Sequence, residues 1–543
     1  MNWEAFSRSL FLLLALEMTT TIDLYGWTSS VNVPLGHWSY RALDTLEGLG
    51  LLQTVIHGAR PFSREEVGRL VVEARSKLSS LQGSQREVAE VLVEKLSREF
   101  ADEVNGLSGE KGLVPPTFIK PLNELTFYVA HVEGKPITFF PTTAIDATEG
   151  TPLVRNNEGI RYRDGENFGL SLSTYAKLLN RFSFYFEPYL SLSGKMDGEW
   201  SGDASIHKAY VKTYLGPLEI EAGRDTLWWG QGSQGSLVFT NNAAPMDMVK
   251  VSTPHPVILP WIFNKIGLIK AATFLTRLES DTEMSHFLLW GGRLNVKPFP
   301  WLELGVAGGM QLNGKGVPKF TWEDLVPFFG MQSIGGDAVN KTNQILAFDA
   351  RITLPFLRNT QIYVEYGGED SGETIRPGSE RPEFIVGDNA LLAGIFIPRL
   401  TDDGKTQFRL EWMQNTFSQD TSPTVWYVHS PYVCGWTNDR MILGHPAGGD
   451  SWELFARVTR DISPKATLGV DISYQWRGEL LLKNFGFIAQ EKHYRGGIDL
   501  DYFFTESLEL WARMAVEKVE NFNLTPGDDR INYVFRLSLT YRF

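Results

Sequence analysis

With a single cysteine in 543 residues, Cys434, the chain has no internal disulfide framework and no thiolate metal cluster. It lacks an excess of positive charge, and the formal net charge of -13 sets nucleic acid aside as a partner. Long apolar runs are also missing. The mean hydropathy of -0.16 is too polar for a set of transmembrane helices, and the apolar run Leu10–Leu16 is too short to cross a bilayer. The spacings that mark soluble enzymes are absent: there is no Gly-x-Ser-x-Gly, no His-Glu-x-x-His, no Walker loop and no zinc-ligand pattern. Neither catalysis, nor a cofactor, nor a metal is expected.

What the chain does have is aromatic residues, 13% of the total, and strict alternation. In the last fourteen residues, Tyr533, Phe535, Leu537, Leu539, Tyr541 and Phe543 fall on one face at period two, with Asn532, Arg536, Ser538, Thr540 and Arg542 on the other. The same pattern recurs back to about Leu122. Alternation hides hydrophobicity from any average, so a polar chain rich in rings reads as mainly β, a closed antiparallel transmembrane β-barrel. Segments near 122–132, 167–177, 181–193, 206–215, 217–226, 246–254, 266–278, 285–298, 301–312, 344–354, 360–368, 391–400, 404–415, 452–461, 466–477, 492–502, 507–519 and 530–543 make about 18 strands. The segment at 246–254 is limited by Pro254 but is required by parity, because it puts every short, turn-rich connection on one side.

That side is assigned to the periplasm. The long connections, 133–166, 227–245, 313–343, 369–390, 416–451 and 520–529, are then expected to face outwards. Charges such as Asp349, Arg351, Glu365, Arg409, Glu411, Glu453, Arg457, Asp499, Arg513 and Glu517 alternate with lipid-facing residues and must point into the lumen, since a basic residue facing lipid costs on the order of 2 to 4 kcal/mol. Both signs occur there, which favours paired charges and water over an ion-selective field.

Residues 1–30 read as an atypical secretory signal, with Arg8, a short apolar run and then a Thr-rich stretch. From 31 to 104 the period changes to about 3.6, which predicts a small helical bundle at the periplasmic mouth, acting as a cap or plug. Ser63 and Glu66 are placed as a capping box. Residues 105–121, rich in Gly and Pro, read as a linker, and 122–543 as the barrel. Pro34-Leu-Gly-His-Trp-Ser-Tyr with Arg60-Pro-Phe-Ser-Arg-Glu-Glu resembles one S-layer-homology-like repeat, which implies peptidoglycan as a partner of residues 31–100.

Two of the long connections carry concentrated chemistry. One holds Trp228, Trp229 and Gln231 in a Gly-rich stretch; the other holds Trp426, Tyr427, Tyr432, Trp436, Asn438, Asp439, Arg440 and His445. Rings that stack on a pyranose face, beside planar polar groups that pair with vicinal hydroxyls, suit a saccharide. Rings at a barrel rim equally serve as girdle or loop packing, so these residues alone leave both readings open.

A helical domain with Pro34-Leu-Gly-His-Trp-x-Tyr, then Gly223-Arg-x-x-x-x-Trp-Trp-Gly, then Gly444-His-x-x-Gly-Gly-Asp-Ser and a final Tyr-Arg-Phe together resemble the capsule-assembly Wzi family over residues 31–543. The resemblance implies an 18-stranded outer-membrane barrel with periplasmic helices, an occluded lumen and an outer surface that binds capsular polysaccharide. Expected partners are therefore capsular or extracellular polysaccharide, and outer-membrane lipid including lipopolysaccharide. The rival readings are a porin for small solutes and a scaffold that ties the membrane to the cell wall through the helical domain.

Overall fold

A computed structural model describes residues 28–108, 115–139, 147–195, 198–278, 287–314, 342–369, 388–418, 426–429, 434–486 and 489–543, with a few single positions between them. Most of the expected leader lies outside the described residues. Eighteen antiparallel strands close into one barrel. They are β1 Phe118–Glu133, β2 Gly165–Leu178, β3 Phe182–Gly194, β4 Trp200–Leu215, β5 Leu218–Asp225, β6 Met246–Ser252, β7 Leu268–Arg277, β8 Leu288–Phe299, β9 Leu302–Leu312, β10 Thr342–Leu354, β11 Thr360–Glu369, β12 Asp388–Ile397, β13 Thr406–Ser418, β14 Ser451–Ser463, β15 Ala466–Arg477, β16 Glu491–Phe503, β17 Leu508–Glu520 and β18 Arg530–Arg542. Each pairs with its sequence neighbours, and β1 closes on β18 in register from Glu124↔Arg542 to Glu133↔Tyr533. The segment around Val249 does form a strand, and it ends at Ser252, ahead of Pro254.

Alternation sorts the two faces. Phe127, Leu170, Phe184, Phe348, Val364, Leu454, Ile498 and Phe535 are exposed outside. Rings cluster towards both ends of the wall, with Phe299 stacked on Trp301 at 5.3 Å by one turn and Trp452 on Trp476 at 6.1 Å near the opposite rim. Among the described residues no helix is long and apolar enough to cross a membrane.

The expected inward charges do point inwards, where they pair. Arg457 and Arg513 each bridge Asp471 and Asp499, at 2.7 to 3.2 Å. The expectation of a wet, ionic lumen holds in part. On β7 to β13, inward charges such as Asp349, Arg351, Glu365 and Glu411 share the wall with Phe274, Leu289, Ala307, Ile345, Leu392 and Met413, which belong to a dry core. This difference follows from what fills the bore: whole loops enter it, so part of the inner wall packs as a protein interior does.

Helices α1 Ser39–Gly48, α2 Arg64–Lys77, α3 Gly83–Glu99 and α4 Ala101–Leu107 form the bundle. Ser63 caps α2 by accepting the Glu66 amide at 3.1 Å; the Glu66 carboxylate turns away and accepts Lys270 of β7 at 2.6 Å instead of closing the box. Residues 105–107, expected to be linker, continue the helix through Gly106. Packing outweighs glycine's low propensity here: Val104 is buried, and a side chain on Gly68 of α2 would sit 2.7 Å from Glu103, so a bare Gly68 lets α4 close in.

The bundle sits at the end of the barrel with the short turns. Ser29 donates to the carbonyl of Asn180, Asn359 to that of Gly48, and Arg98 pairs with Glu506. The carboxy-terminal Phe543 lies at this same end, where its amide donates to Asn123 at 3.1 Å.

Candidate functional site

One correction to the expected layout defines the site. The connection from β5 to β6 does not project outwards; it descends into the lumen. Its glycines permit this. A side chain on Gly230 would meet the Glu365 carboxylate at 2.5 Å, one on Gly232 the Gly235 carbonyl at 2.0 Å, and one on Gly235 the His445 ring at 2.1 Å. The bare backbone can therefore lie against the wall, and wall carboxylates receive its amides. Glu365 accepts the N–H groups of Gln231 at 2.6 Å, Gly232 at 2.7 Å and Leu237 at 3.0 Å, together with the Ser236 hydroxyl at 3.0 Å. Glu411 accepts those of Ser233 at 2.7 Å and Gln234 at 2.8 Å. These N–H donors replace the hydrogen bonds to water that a buried carboxyl gives up.

At its lowest point this loop meets the bundle. Trp229 pairs with Ala59 and Trp228 with Arg60 as a two-residue antiparallel ladder, and the amide of Gly230 donates to the Gly58 carbonyl. Gln231 is fully buried, donating to Glu303 and Asp349 and accepting from Arg351, all within 2.9 Å. Below it, Glu303 accepts the amides of His57 at 3.0 Å and Gly58 at 2.9 Å. A cavity of about 30 Å³, room for a water or two, remains beside Arg60 and Trp229.

The connection from β13 to β14 closes over the descending loop. The Trp436 indole donates to the Val238 carbonyl at 2.8 Å, the Tyr427 hydroxyl to that of Leu237 at 2.9 Å, and Asn438 to that of Ala244 at 3.0 Å. The rings of Trp436, Phe239, Phe274 and Trp229 pack edge-on or tilted against one another, with centroids 5.3 to 5.5 Å apart. Gly444-His-Pro-Ala-Gly-Gly-Asp-Ser also serves the packing. Asp450 accepts the amides of Leu480 and Leu481 at 2.9 and 3.0 Å and so caps the short helix α5, Glu479–Phe485. Burial raises the Asp450 carboxyl to about 6 against these bonds, and burial lowers His445 to about 4, so that imidazole is neutral.

Of the residues expected to meet a ligand, Trp228, Trp229, Gln231, Trp426, Tyr427, Tyr432, Trp436, Asn438 and His445 all have buried side chains. A ring with no exposed face can stack on a sugar only after the loop opens. Asp439 is half-buried and Arg440 exposed. They form the tip of a small hairpin, Thr437–Asn438 against Met441–Ile442, with positive φ of 47° and 61°. This tip is held by the connection from β1 to β2. Arg161, exposed, donates to the Asp439 carbonyl and lies 3.4 Å from its carboxylate, while Thr148 donates to the Arg440 carbonyl at 3.0 Å.

Arg161 drew no attention in the sequence, where its surroundings, Gly159-Ile-Arg-Tyr-Arg-Asp164, carry no pattern. Its place follows from Glu158, which is anchored on Lys208 at 2.6 Å and His207 at 2.9 Å. Burial opposes the charge on Glu158, but Lys208 and His207 outweigh it and hold the carboxyl well below its usual range. The S-layer-like residues pack inside the bundle or against the barrel: Trp38 meets Phe503 edge-on at 6.1 Å and Tyr40 packs on Phe62 at a tilt, 5.3 Å apart. Among the described residues no group of three His, Cys, Asp or Glu side chains is placed to hold a metal ion.

A family model described as capsule assembly protein Wzi matches residues 138–533. A Klebsiella pneumoniae protein, named as an uncharacterized 55.8 kDa protein in the cps region, is 28% identical over 138 residues, or 25% of this chain and 27% of that relative. Among solved structures, the chain is similar to Escherichia coli Wzi, described as an outer membrane protein involved in group 1 capsule assembly and a carbohydrate-binding β-barrel. The TM-score is 0.66 at 18% identity, covering 95% of this chain and 99% of that one. OccAB3 of Acinetobacter baumannii follows at a TM-score of 0.44 and 10% identity, covering 78% of this chain and 98% of that one.

Proposed function

This chain belongs to the Wzi family of capsule-assembly proteins, and from that premise we propose that it binds capsular or extracellular polysaccharide at the cell surface and retains it there, without catalysis. In this reading the short turns, the helical bundle and the carboxy terminus face the periplasm, and the interlaced loops face outwards. The observation that carries it is the filled bore. Loop 226–245 and the bundle meet inside the barrel and are fastened to Glu303, Glu365 and Glu411, so the chemistry left to the outside is that of the loop surface. That surface presents Arg161, Asp439 and Arg440, a guanidinium-rich edge suited to the hydroxyl and carboxylate groups of an acidic or neutral glycan. Trp426, Tyr427, Trp436, Asn438 and His445 then act by holding the hairpin tip in position, and Trp228, Trp229 and Gln231 by sealing the lumen beneath it.

The test is a pull-down of the host strain's purified, water-soluble polysaccharide by the detergent-solubilised full chain. Wild type is expected to retain it, and Arg161→Ala with Arg440→Ala to lower retention about ten-fold, equivalent to about 1.4 kcal/mol. Equal retention by both proteins would place binding elsewhere, and none by wild type would end the proposal.

A further inference from the structure

The apolar belt of the barrel is not level. On β17 it runs outwards from Leu508 to Val516 and ends at Lys518, roughly 25 Å along the axis for strands tilted about 40° and equal to the usual apolar band. On β5 it passes Leu218, Ile220 and Ala222 and stops at Arg224, roughly 15 Å above Leu218 by the same measure. Arg224 donates to Asp247 of β6 at 2.8 and 2.7 Å, and Arg277 is exposed on β7 next to the Met248↔Thr276 pair. Three charged side chains therefore close the belt early on this side. A sector whose belt is short is matched to the bilayer when apolar surface is added at its other end.

That surface is present. Residues 253–267 form the longest connection at the end with the short turns. Val257 and Ile258 pair with Ile269 and Leu268 of β7, and the chain then runs past this last ladder pair into a short 3-10 helix, Trp261–Ile266. Every residue of that helix is exposed, Ile262 to 75% and Trp261 to 58%, and Phe263 and Ile266 add to the same apolar tip. Gly267 follows at φ 90°, where a side chain would strike the Lys297 carbonyl, so the tip is drawn against the end of β8, beside the stacked Phe299 and Trp301. The neighbouring turns continue it, since Leu215 and Leu218 before it and Phe356 and Leu357 beyond it are exposed as well. On the far side of the mouth the turns end in polar residues, Asp402-Asp403 after β12 and Thr505-Glu506 after β16, with one exposed apolar residue each, Leu400 and Phe504.

We propose that the tip at residues 259–267 is an interfacial anchor, set into the phospholipid of the leaflet on the side of the short turns, which is the periplasmic leaflet in the reading above. The inference takes only the name of that leaflet from the reading and does not depend on glycan binding. Continuity selects the occupant: the tip lies between Leu218 of β5 and the Phe299–Trp301 pair, both part of the surface that already faces lipid, and no polar residue separates it from the latter except Lys265 and Asn264 at its own end. Its composition suits the boundary between acyl chains and headgroups. An indole such as Trp261 sits there with its ring in the apolar layer and its N–H towards water, and a lysine such as Lys265 lays its stem along the apolar surface while its ammonium reaches a phosphate. Left in water, four large apolar side chains on one projecting tip would be unfavourable. With the tip embedded, the barrel sits lower in the membrane on the side of β5 to β7. Arg224, Asp247 and Arg277 then come to the level of the opposite headgroups instead of facing hydrocarbon, which accounts for both ends of the uneven belt at once.

The experiment places a nitroxide on the full chain in phosphatidylethanolamine and phosphatidylglycerol nanodiscs, through Ile262→Cys in a Cys434→Ser background, and compares it with one at Asp402→Cys, whose native side chain is 93% exposed in a polar turn. Both positions are on the surface, so neither label disturbs the core. At Ile262, dissolved oxygen is expected to broaden the spectrum and a water-soluble nickel chelate to lose its effect; at Asp402 the nickel chelate is expected to act fully. Nickel broadening at Ile262 equal to that at Asp402 would put the tip in water and overturn the proposal. Independently, in cells producing the otherwise native chain, a benzophenone cross-linker at Ile262 is expected to capture phospholipid. Capture of a second copy of the chain or of another protein in its place would overturn the proposal in favour of a protein interface. Neither measurement uses polysaccharide, so the outcome is read separately from the pull-down that tests the rim.

Discussion

The backbone amide of Gly230 donates to the carbonyl of Gly58 at 3.0 Å, and through this bond a loop that descends from one mouth of the barrel meets a segment that rises from the other. Neither piece fills the bore alone. Each is held by wall carboxylates, Glu303 from below and Glu365 and Glu411 from above, so the plug is fastened to the wall and not simply packed against it.

Glu365→Ala removes the acceptor of the Gln231, Gly232 and Leu237 amides and leaves them buried without a partner. A buried donor that loses its partner costs about 1 to 3 kcal/mol. Hydrogen exchange at residues 231–237 is expected to speed up roughly ten- to hundred-fold in the variant, with the barrel strands unaffected.

Gly235→Val places a side chain where the His445 ring now lies. Overpacking of a closed core costs about 1 to 3 kcal/mol. The expected result is a displaced β13–β14 connection, seen as raised protease sensitivity within residues 426–450 while the folded barrel still resists heat in detergent.

Glu66→Ala leaves Lys270 facing the bundle without its carboxylate. Breaking one half of a buried ion pair costs about 3 to 5 kcal/mol. The bundle should undock: limited proteolysis is expected to cut within residues 31–108 in the variant and to spare that region in wild type.

Two buried groups give the outer closure opposite responses to acid. His445 is held near 4 in the fold against an ordinary 6.5, because burial disfavours its cation, so an opened loop binds that proton first. Its contribution to closure is complete above pH 6.5 and falls by up to about 3 kcal/mol as the pH drops from 6.5 to 4, while Asp450, raised to about 6, contributes with the opposite sign. Hydrogen exchange of residues 434–450 should therefore rise over that window in wild type relative to His445→Gln, in which only the Asp450 contribution remains.

The barrel was legible in the sequence because lipid outside and polarity inside impose period two, as on β18, where Tyr533 and Phe535 are exposed and Asn532 is buried. Even the short strand at Met246–Ser252 followed from parity. The site was harder to read. Trp228, Trp229 and Trp436 suggest an outer surface when taken as loop residues, since loop composition does not say whether a loop rises or descends. A cue was present in Gly230, Gly232 and Gly235, spaced for close backbone approach, and in the inward carboxylates Glu365 and Glu411, whose partners proved to be backbone amides that no side-chain pattern displays. Arg161 was out of reach, because it depends on Glu158 meeting Lys208 across the fold.

The filled bore is tested most directly by single-channel recording of the purified full chain in planar bilayers. Bilayers that stay closed, with no steady current above the lipid background, are expected of a barrel whose loop and bundle meet at Gly58 and Gly230. Large, steady unitary currents from the wild-type protein would contradict it, and would favour a channel over a surface that holds glycan.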